Sequence, residues 1–370
     1  MKKVLFSSHL ANFIKFNQPF IAWFKAQGWE VHYASQNEEI ISGCDKAFTV
    51  CFNRSPYSLD NLKAWSQLKQ IIEREQYDII HCHTPMGGVV TRLSARQARK
   101  RGTKVLYTAH GFHFYHGSPL RNWLMYYPVE RWLSHYTDCL ITMNEEDYRT
   151  AKSKKFRAQC IEKIDGVGVD LSRFSPVSPQ EKDHLRQTLA MPPGQFILLY
   201  IAEFIERKNH RFLIRSLSKL TKTIPNLHVL LAGKGELMNE MQALAARQNV
   251  LNRISFLGYR SDIPQLCAVS DVLISVSNQE GLPINIIEGM ACGLPIVCSG
   301  IRGQTDIVKE GENGYLYNKD NMDEFISSVE SLAANPQLRV IMGKESRLTA
   351  QGYSLEIAVK KMSAIYAQYM

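Results

Sequence analysis

The sequence predicts an α/β protein built from two Rossmann-like domains, each carrying a parallel sheet. Two observations lead there. Short β-branched runs alternate with helix-length segments along the whole of the 370 residues, which is the pattern of βαβ units. The alternation also halts once and then restarts. The halt is a polar stretch punctuated by Phe174-Ser175-Pro176-Val177-Ser178-Pro179 and Met191-Pro192-Pro193-Gly194. A chain of this length suits about two domains of ~150 residues.

The elements follow in order. Strands are expected at Lys3–Ser7, Glu30–Ala34, Ala47–Val50, Ile79–His81, Lys104–Thr108 and Cys139–Met143, because each is a short apolar or β-branched run. Between them, apolar residues recur at helical spacing over Pro19–Ala26, Leu59–Glu75, Val89–Lys100 and Leu120–Ser134. The second series has strands at Phe196–Ala202, His228–Ala232, Ile254–Phe256, Val272–Ser275 and Pro295–Ser299, each followed by a helix-like stretch. An amphipathic helix closes the chain over Leu355–Tyr369, with Ile357, Met362, Ile365 and Tyr366 on its apolar side. We divide the chain into residues 1–176, 177–352 and a terminal helix, 353–370.

Composition excludes several classes. Hydrophobic residues make up 45% and charged residues 21%, as in a soluble globular protein and unlike a collagen, a coiled coil or a disordered chain. No apolar run reaches the ~18 residues of a membrane span. The first residues, with Lys2 and Lys3 before a short apolar stretch, read as a strand and not as a signal peptide. The eight cysteines include no Cys-x-x-Cys and are too sparse for a disulfide framework, so a reduced, cytoplasmic protein is expected. Residues 1–200 hold 26 Lys+Arg against 18 Asp+Glu, whereas residues 201–370 hold 18 against 17. A basic half suits an anionic partner: nucleic acid, an acidic membrane surface or a phosphorylated substrate.

In open α/β sheets, ligands bind beyond the carboxyl ends of the strands, so the cleft between two such domains facing each other is the expected site. The most informative segment runs from Ser275 to Val297 as strand, loop, helix, Gly stop and strand. Glu280 lies in the loop and Glu288 in the helix, with Pro283 near the first turn. A helix N-terminus offers free N–H groups to a phosphate, and carboxylates accept hydrogen bonds from hydroxyls. The pair suits a polyhydroxylated, phosphorylated ligand. Read plainly, Glu280 is a capping acid and Glu288 a solvated residue, although Glu288 sits between Ile287 and Met290 in an otherwise apolar helix.

This Glu-x7-Glu pattern, followed by Gly-Met-Ala-Cys-Gly-Leu-Pro-Ile-Val, resembles the family 4 retaining glycosyltransferases of the GT-B fold. The likeness spans nearly the whole chain. It includes Asp78-Ile79-Ile80-His81-Cys82-His83-Thr84, Thr108-Ala109-His110-Gly111, Gly166 to Phe174, Arg207-Lys208-Asn209, Leu231 to Glu236 and Phe256-Leu257-Gly258-Tyr259. In detail it is nearest to bacterial enzymes of capsule, exopolysaccharide and O-antigen synthesis.

The resemblance implies a GT-B architecture, with parallel sheets facing a central cleft and the terminal helix packing back on the first domain. It implies transfer of a sugar, with retention, from a nucleotide sugar of the UDP-hexose or UDP-N-acetylhexosamine type. The acceptor would be a saccharide linked to polyprenyl diphosphate, held by the first domain at the inner face of the cell membrane. Arg207 and Lys208 would neutralise the leaving diphosphate; the bland alternative is a solvated basic pair. Many family members carry Gly-Arg soon after this strand where this chain has Ala202-Glu203, which leaves the second cation to Arg207. Glu280 would bind hydroxyls of the transferred sugar and Glu288 those of the ribose. The backbone of Gly281, Leu282, Pro283 and Ile284 would cover the diphosphate. Tyr259, Arg260 and Ile263 would meet the base, and Gly233 and Gly235 would let the backbone approach the nucleotide. His110 would contact the donor sugar near the reacting carbon. The resemblance also implies no cofactor and no essential metal. On spacing alone His110, His113 and His116, or His81 and His83, could bind one, but no Asp, Glu or Cys completes a familiar set.

For the acceptor side, Arg92, Arg96, Arg99 and Lys100 recur at helical spacing, and an aromatic stretch containing Trp123 follows. Together they suggest contact with an anionic membrane, against the simpler reading of a solvated basic helix and a buried aromatic core. The glycine pair often found in the family's first loop is replaced by Ser8-His9-Leu10-Ala11-Asn12-Phe13. Three other readings compete. A sugar-nucleotide epimerase would share the fold. A non-catalytic lipid or nucleic-acid binder would use the basic half, but no nucleic-acid motif is present. A nicotinamide-dependent oxidoreductase lacks Gly-x-Gly-x-x-Gly after the first strand.

Overall fold

The computed structural model describes residues 1–10, 13–36, 43–189, 191 and 194–370. Ala11 and Asn12 of the first loop, and Pro192 and Pro193 of the proline-rich stretch, lie outside them. The chain forms two compact units: Met1–Val167 together with Leu355–Met370, and Gly168–Ser354.

The first unit holds β1 (Lys3–Ser7), α1 (Ile14–Ala26), β2 (Glu30–Ser35), β3 (Lys46–Thr49), α2 (Asp60–Glu75), β4 (Ile79–His83), α3 (Pro85–Ser94), α4 (Arg96–Lys100), β5 (Lys104–Ala109), α5 (Leu120–Leu133), β6 (Cys139–Thr142), α6 (Glu145–Ser153) and β7 (Cys160–Lys163). Its seven strands are ordered β3-β2-β1-β4-β5-β6-β7 and the pairs are parallel. The strand order reverses between β1 and β4. Right-handed crossovers then put α1 on one face of the sheet and α2, α3, α5 and α6 on the other.

The second unit holds α7 (Pro179–Thr188), β8 (Phe196–Ile201), α8 (His210–Thr223), β9 (Leu227–Ala232), α9 (Met238–Arg247), β10 (Ile254–Gly258), α10 (Ile263–Val269), β11 (Val272–Ser275), α11 (Ile284–Ala291), β12 (Ile296–Ser299), β13 (Gly314–Tyr317), α12 (Met322–Ala334) and α13 (Pro336–Gln351). Its strands run β10-β9-β8-β11-β12-β13, all parallel, with the reversal between β8 and β11. Central strands such as Phe196–Ile201 read as unbroken apolar runs because helices cover both faces.

The last helix, α14 (Leu355–Ala367), returns to the first unit and packs on α1. Tyr366 is fully buried there against Phe24 and Trp23, with ring centroids 4.6 and 5.7 Å away. Its hydroxyl meets His81 Nδ1 at 2.7 Å.

Several elements differ from expectation. The units divide at Val167/Gly168, nine residues before the expected 176. Val169 N–H donates to Tyr353 O at 3.0 Å, and Arg347 donates to Phe174 O at 2.7 Å, so this stretch is already tied to the second unit. Helix α1 begins at Ile14 and runs through Pro19. The expected helix Val89–Lys100 is two, α3 and α4, which abut at Ala95. Two edge strands, β7 and β13, were not anticipated. Among the described residues no helix is long and apolar enough to cross a membrane. All eight cysteines are free.

Candidate active site

In the second unit the candidate side chains Arg207, Lys208 and Glu280 gather where strand order reverses, which is where open α/β sheets bind ligands. The loop after β8 carries Arg207 and Lys208, and the loop after β11 carries Glu280. Lys208 Nζ hydrogen-bonds Glu280 Oε1, and Arg207 Nη1 lies 3.9 Å from Oε2. The Lys208 and Glu280 side chains are only 12% and 7% exposed, whereas Arg207 is 44% exposed. A buried pair of this kind leaves a costly lone charge if either partner is removed.

Side chains and backbone lock the two loops together. Tyr200 Oη donates to Lys208 O at 2.7 Å and meets Ser277 Oγ at 3.1 Å. Asn278 N–H donates to Arg207 O at 2.7 Å. Asn285, in the first turn of α11, donates to Ile201 O at 3.0 Å. From the loop after β12, the buried Arg302 donates twice to Glu280 O, from Nε at 3.1 Å and Nη2 at 2.9 Å. Gly303 follows with φ +78°, and a Cβ there would lie 2.0 Å from Gly281 O. Only glycine lets the two loops approach so closely. Arg302 was not anticipated from sequence. A cation between two glycines just past a strand end, Gly300-Ile301-Arg302-Gly303, was the available signal.

Glu288, on α11, is close enough to Cys267 of α10 to act on it electrostatically. It is half-buried, and among the described residues its side chain has no hydrogen-bonding or ion-pair partner. Burial pushes its carboxyl up to about 7, against a smaller opposing effect of Arg173. An unpaired carboxyl held in this way fits a ligand group that would bond it. Nearby, a depression of about 400 Å³ is lined by Arg173, Ser261, Asp262, Pro264 and Gln265. Tyr259 is 62% exposed and Ile263 opens α10. Arg260 is engaged with Asp262 through Nε at 2.7 Å, so its guanidinium is already committed.

Gly233 and Gly235 do allow a close approach, but of protein backbone. A Cβ at Gly233 would lie 1.9 Å from Ala202 O, and one at Gly235 would lie 2.4 Å from Phe204 O. They seat the loop after β9 on the loop after β8. Pro283 is the N-cap of α11, one residue before the helix begins at Ile284.

In the first unit, histidines occupy the corresponding reversal. His83, at the end of β4, is 2% exposed, and its Nδ1 lies 3.1 Å from His110 Nε2, just past β5. His83 Nε2 is buried without a hydrogen-bond partner. Phe13 packs edge-on against His110, with centroids 4.6 Å apart. Burial lowers His110 to about 3, so its imidazole is neutral, suited to hydrogen bonding and not to acting as a cation. Thr84 adopts φ 64°, ψ 152°, a region normally left to glycine, and such strain gathers at functional sites. His81 is taken up by Tyr366 and by Thr108 Oγ1 at 2.8 Å. Among the described residues, the one group with metal-like spacing is Glu30, His32 and Glu75, whose carboxylates already meet Lys3 and Lys46.

The expected membrane residues are corrected by their surroundings. Arg92 is 1% exposed. It is paired with Glu130 at 2.8 Å and stacked on Tyr107, with the guanidinium 3.9 Å from the ring centroid. Arg99 is bound bidentately by Asp138, at 2.9 and 3.0 Å. Trp123 packs into the aromatic cluster around Phe114 and donates to Tyr115 O at 3.3 Å. These three hold the unit together. Arg96 and Lys100 are exposed.

Comparison with known proteins identifies the chain, with its two parallel sheets and chemistry-bearing loops at both strand-order reversals, as a glycosyltransferase of GT-B fold. The family described as glycosyl transferases group 1 matches residues 181–349, and that described as glycosyl transferase 4-like matches residues 3–144. The chain is 44% identical over 370 residues to the Bacillus subtilis protein EpsD, covering 100% of this chain and 97% of that one. It is 27% identical over 322 residues to the Escherichia coli UDP-Gal:alpha-D-GlcNAc-diphosphoundecaprenol alpha-1,3-galactosyltransferase, covering 86% and 82% of the two chains. The crystal structure of Anabaena HepE with UDP and glucose superposes with a TM-score of 0.82 over 100% of both chains, at 20% identity. The chain belongs to the group 1, glycosyl transferase 4-like family of glycosyltransferases.

Proposed function

We propose that this glycosyltransferase moves a sugar, with retention, from a UDP-sugar to a lipid-linked saccharide in bacterial surface polysaccharide synthesis. The observation that carries the donor reading is the buried Lys208–Glu280 pair with Arg207 beside it, at the strand-order reversal of the second unit. A donor diphosphate would draw on Lys208 and Arg207, and Glu280 would then be free to accept hydrogen bonds from sugar hydroxyls. The N-terminus of α11, with the backbone of Gly281 to Ile284, would meet the diphosphate. Glu288 would bind the ribose hydroxyls as a carboxylate, and Tyr259 and Ile263 would flank the base. His110 is the first unit's candidate for hydrogen bonding a sugar hydroxyl. The cations and helix amides supply the charge that a metal would otherwise bring, so the reading includes neither metal nor cofactor. Support comes from the UDP-galactose donor and diphosphoundecaprenol acceptor in the name of the Escherichia coli relative, and from the UDP bound in the HepE crystals.

A thermal-shift screen against UDP, GDP, ADP and their common sugars, without metal and then with magnesium, tests this. A metal-independent rise with UDP or a UDP-sugar is expected. No rise with any nucleotide at millimolar concentration would remove the donor reading. Product analysis then separates transfer from epimerisation, because an epimerase alters the donor without an acceptor.

Arg302 supplies a sharper test. Arg302→Met withdraws both hydrogen bonds from the Glu280 carbonyl and loosens the loop at the sugar end of the donor. Affinity for the UDP-sugar should fall by about tenfold, with affinity for UDP alone little changed. Arg302→Lys should recover part of the loss. Titration calorimetry with both ligands checks this; an equal loss of UDP and UDP-sugar binding would reduce Arg302 to a general folding role.

A further inference from the structure

His81, His83 and His110 stand together at the strand ends of the first unit, and of the three only His81 has both ring nitrogens satisfied. Its Nδ1 meets Tyr366 Oη at 2.7 Å and its Nε2 meets Thr108 Oγ1 at 2.8 Å. It has no nitrogen left for His83, although the two ring centroids are 4.1 Å apart. The His83 ring makes one hydrogen bond, from Nδ1 to His110 Nε2 at 3.1 Å, and its Nε2 is buried without a partner. Phe6 lies parallel to it at 6.4 Å between centroids, and Phe13 lies at 5.6 Å. Phe13 also meets His110 edge-on, so one phenyl ring braces both imidazoles. Thr84, next in the chain, keeps its φ of 64° while its carbonyl accepts from Gly88 N–H at 2.8 Å and its Oγ1 from His9 N–H at 3.3 Å. The end of β4 is therefore held by its surroundings against local preference, and His83 with it.

Burial keeps both imidazoles neutral, so each carries one N–H. The 3.1 Å contact then admits two arrangements. In the first, His110 Nε2–H donates to His83 Nδ1. The His83 proton is then on Nε2, a buried N–H with no acceptor. In the second, His83 Nδ1–H donates to His110 Nε2, and only a lone pair is left unpartnered. Folded interiors strand an N–H less often than a lone pair, which selects the second. That choice also fixes His110. With Nε2 accepting, its proton is on Nδ1, and His110 Nδ1 has no hydrogen-bond partner among the described residues. The His110 ring is half-buried, where His83 is closed off.

We propose that His83 is a positioning residue for sugar transfer: it donates to His110 and so holds His110 in the tautomer whose Nδ1–H can bond a hydroxyl oxygen. The proposal rests on the reading that His110 meets a hydroxyl of the donor sugar. In a neutral imidazole the bond made by one nitrogen decides what the other offers. Left alone, His110 would present a proton or a lone pair and would turn about its side-chain torsions. Tied to His83 and braced by Phe13, it presents a donor in one direction. His83 itself touches no substrate in this assignment.

Two kinds of measurement test it. The first needs neither donor nor acceptor. Long-range proton–nitrogen correlations of the full chain, with histidine labelled in its ring nitrogens, report which nitrogen of each ring is protonated. The signals are assigned by their absence from His83→Phe and His110→Ala. Both rings should be protonated on Nδ1; a His110 ring protonated on Nε2 would overturn the proposal. The second is UDP release from UDP-glucose, UDP-galactose or UDP-N-acetylglucosamine, whichever the chain turns over, with water as acceptor and well below each variant's melting temperature. His83→Phe keeps a ring in the space and loses the N–H. Its kcat should fall by about tenfold or more, while KM and the affinity for UDP change by less than about twofold. His83→Asn, whose amide can donate from close to the place of Nδ1, should regain most of the loss. His83→Phe/His110→Ala should be no slower than His110→Ala, because His83 acts only through His110. Additive losses, or a His83→Phe as fast as the wild type, would reduce His83 to packing. Wild-type turnover by His110→Ala would instead remove the role of His110 on which the proposal rests, whichever tautomer the spectra show.

Discussion

Lys208→Met will cut the rate of sugar transfer by about 10²–10³-fold, the usual cost of removing one fixed charge from a developing anion. It will also lower stability, because Glu280 is left buried without its partner. Breaking such a pair from one side costs about 3–5 kcal/mol. The two losses can be separated. In Lys208→Met/Glu280→Gln no lone charge remains, so the melting temperature should return most of the way to that of the wild type. The activity should not return, since neither the cation nor the carboxylate proposed to bind sugar hydroxyls is present. Turnover with a UDP-sugar and melting curves for the four proteins of the cycle decide the matter. A single variant that keeps more than about a tenth of the activity, or a double variant that regains it, would contradict the assigned roles.

Glu288→Gln should move stability and binding in opposite directions. The Glu288 carboxyl is raised to about 7 by burial, above the ordinary value of 4.5. Between these values the folded chain holds a proton that the unfolded chain has released, so stability contributed by the neutral form is lost as pH rises toward 7. Above 7 the folded protein carries an unpaired, half-buried carboxylate. Glutamine removes that burden, and the variant should be more stable than the wild type at pH 8 by about 1–3 kcal/mol. The gap should narrow below pH 7 and close near pH 4. On the proposed role of Glu288, UDP affinity at pH 8 should meanwhile fall by about tenfold or more, because glutamine would offer a weaker acceptor to the ribose hydroxyls. For the wild type, UDP affinity should rise as pH goes from 6 to 8. Denaturant melts and calorimetry across that range check both halves. If Glu288→Gln is less stable at pH 8, the carboxyl is not unpaired in solution.

The fold was largely legible because buried parallel strands write themselves as short apolar runs. Lys3–Ser7 and Val272–Ser275 match the expected bounds residue for residue. Strands with one neighbour were harder. Cys160–Lys163 has two apolar residues followed by two charged ones, with no alternation to mark a strand, and Gly314–Tyr317 is equally short, so both depend on a register that only the sheet supplies. Proline punctuation located a linker, but composition does not record that Val169 and Phe174 already bond to the second unit.

Candidate residues just past strand ends were legible, as at Glu280 and Lys208, which the structure brings together. Partners distant in sequence were not. Helical spacing aligned Arg92 with Arg96 and Arg99, yet it cannot show that Arg92 turns inward to Glu130, 38 residues on, or that Arg99 turns to Asp138. The Gly-x-Gly at 233 and 235 announced a close approach without saying what approaches, and the answer is the backbone of Ala202 and Phe204.

The return of α14 to the first unit has a consequence for how the protein is made. The ribosome completes all of β1 to β7 early, but Tyr366, which fills the space among Trp23, Phe24 and His81, is translated only after the second unit. The nascent first unit must therefore wait, with that hollow open, while the whole second unit is synthesised. Because Val169 and Tyr353 are hydrogen-bonded neighbours, folding of the second unit brings its two ends together. The final helix is thus delivered close to the point where the chain left. Completion of the first unit becomes a report that the second has folded, and a message cut short before α14 yields a product with an exposed aromatic hollow for proteases and chaperones to find.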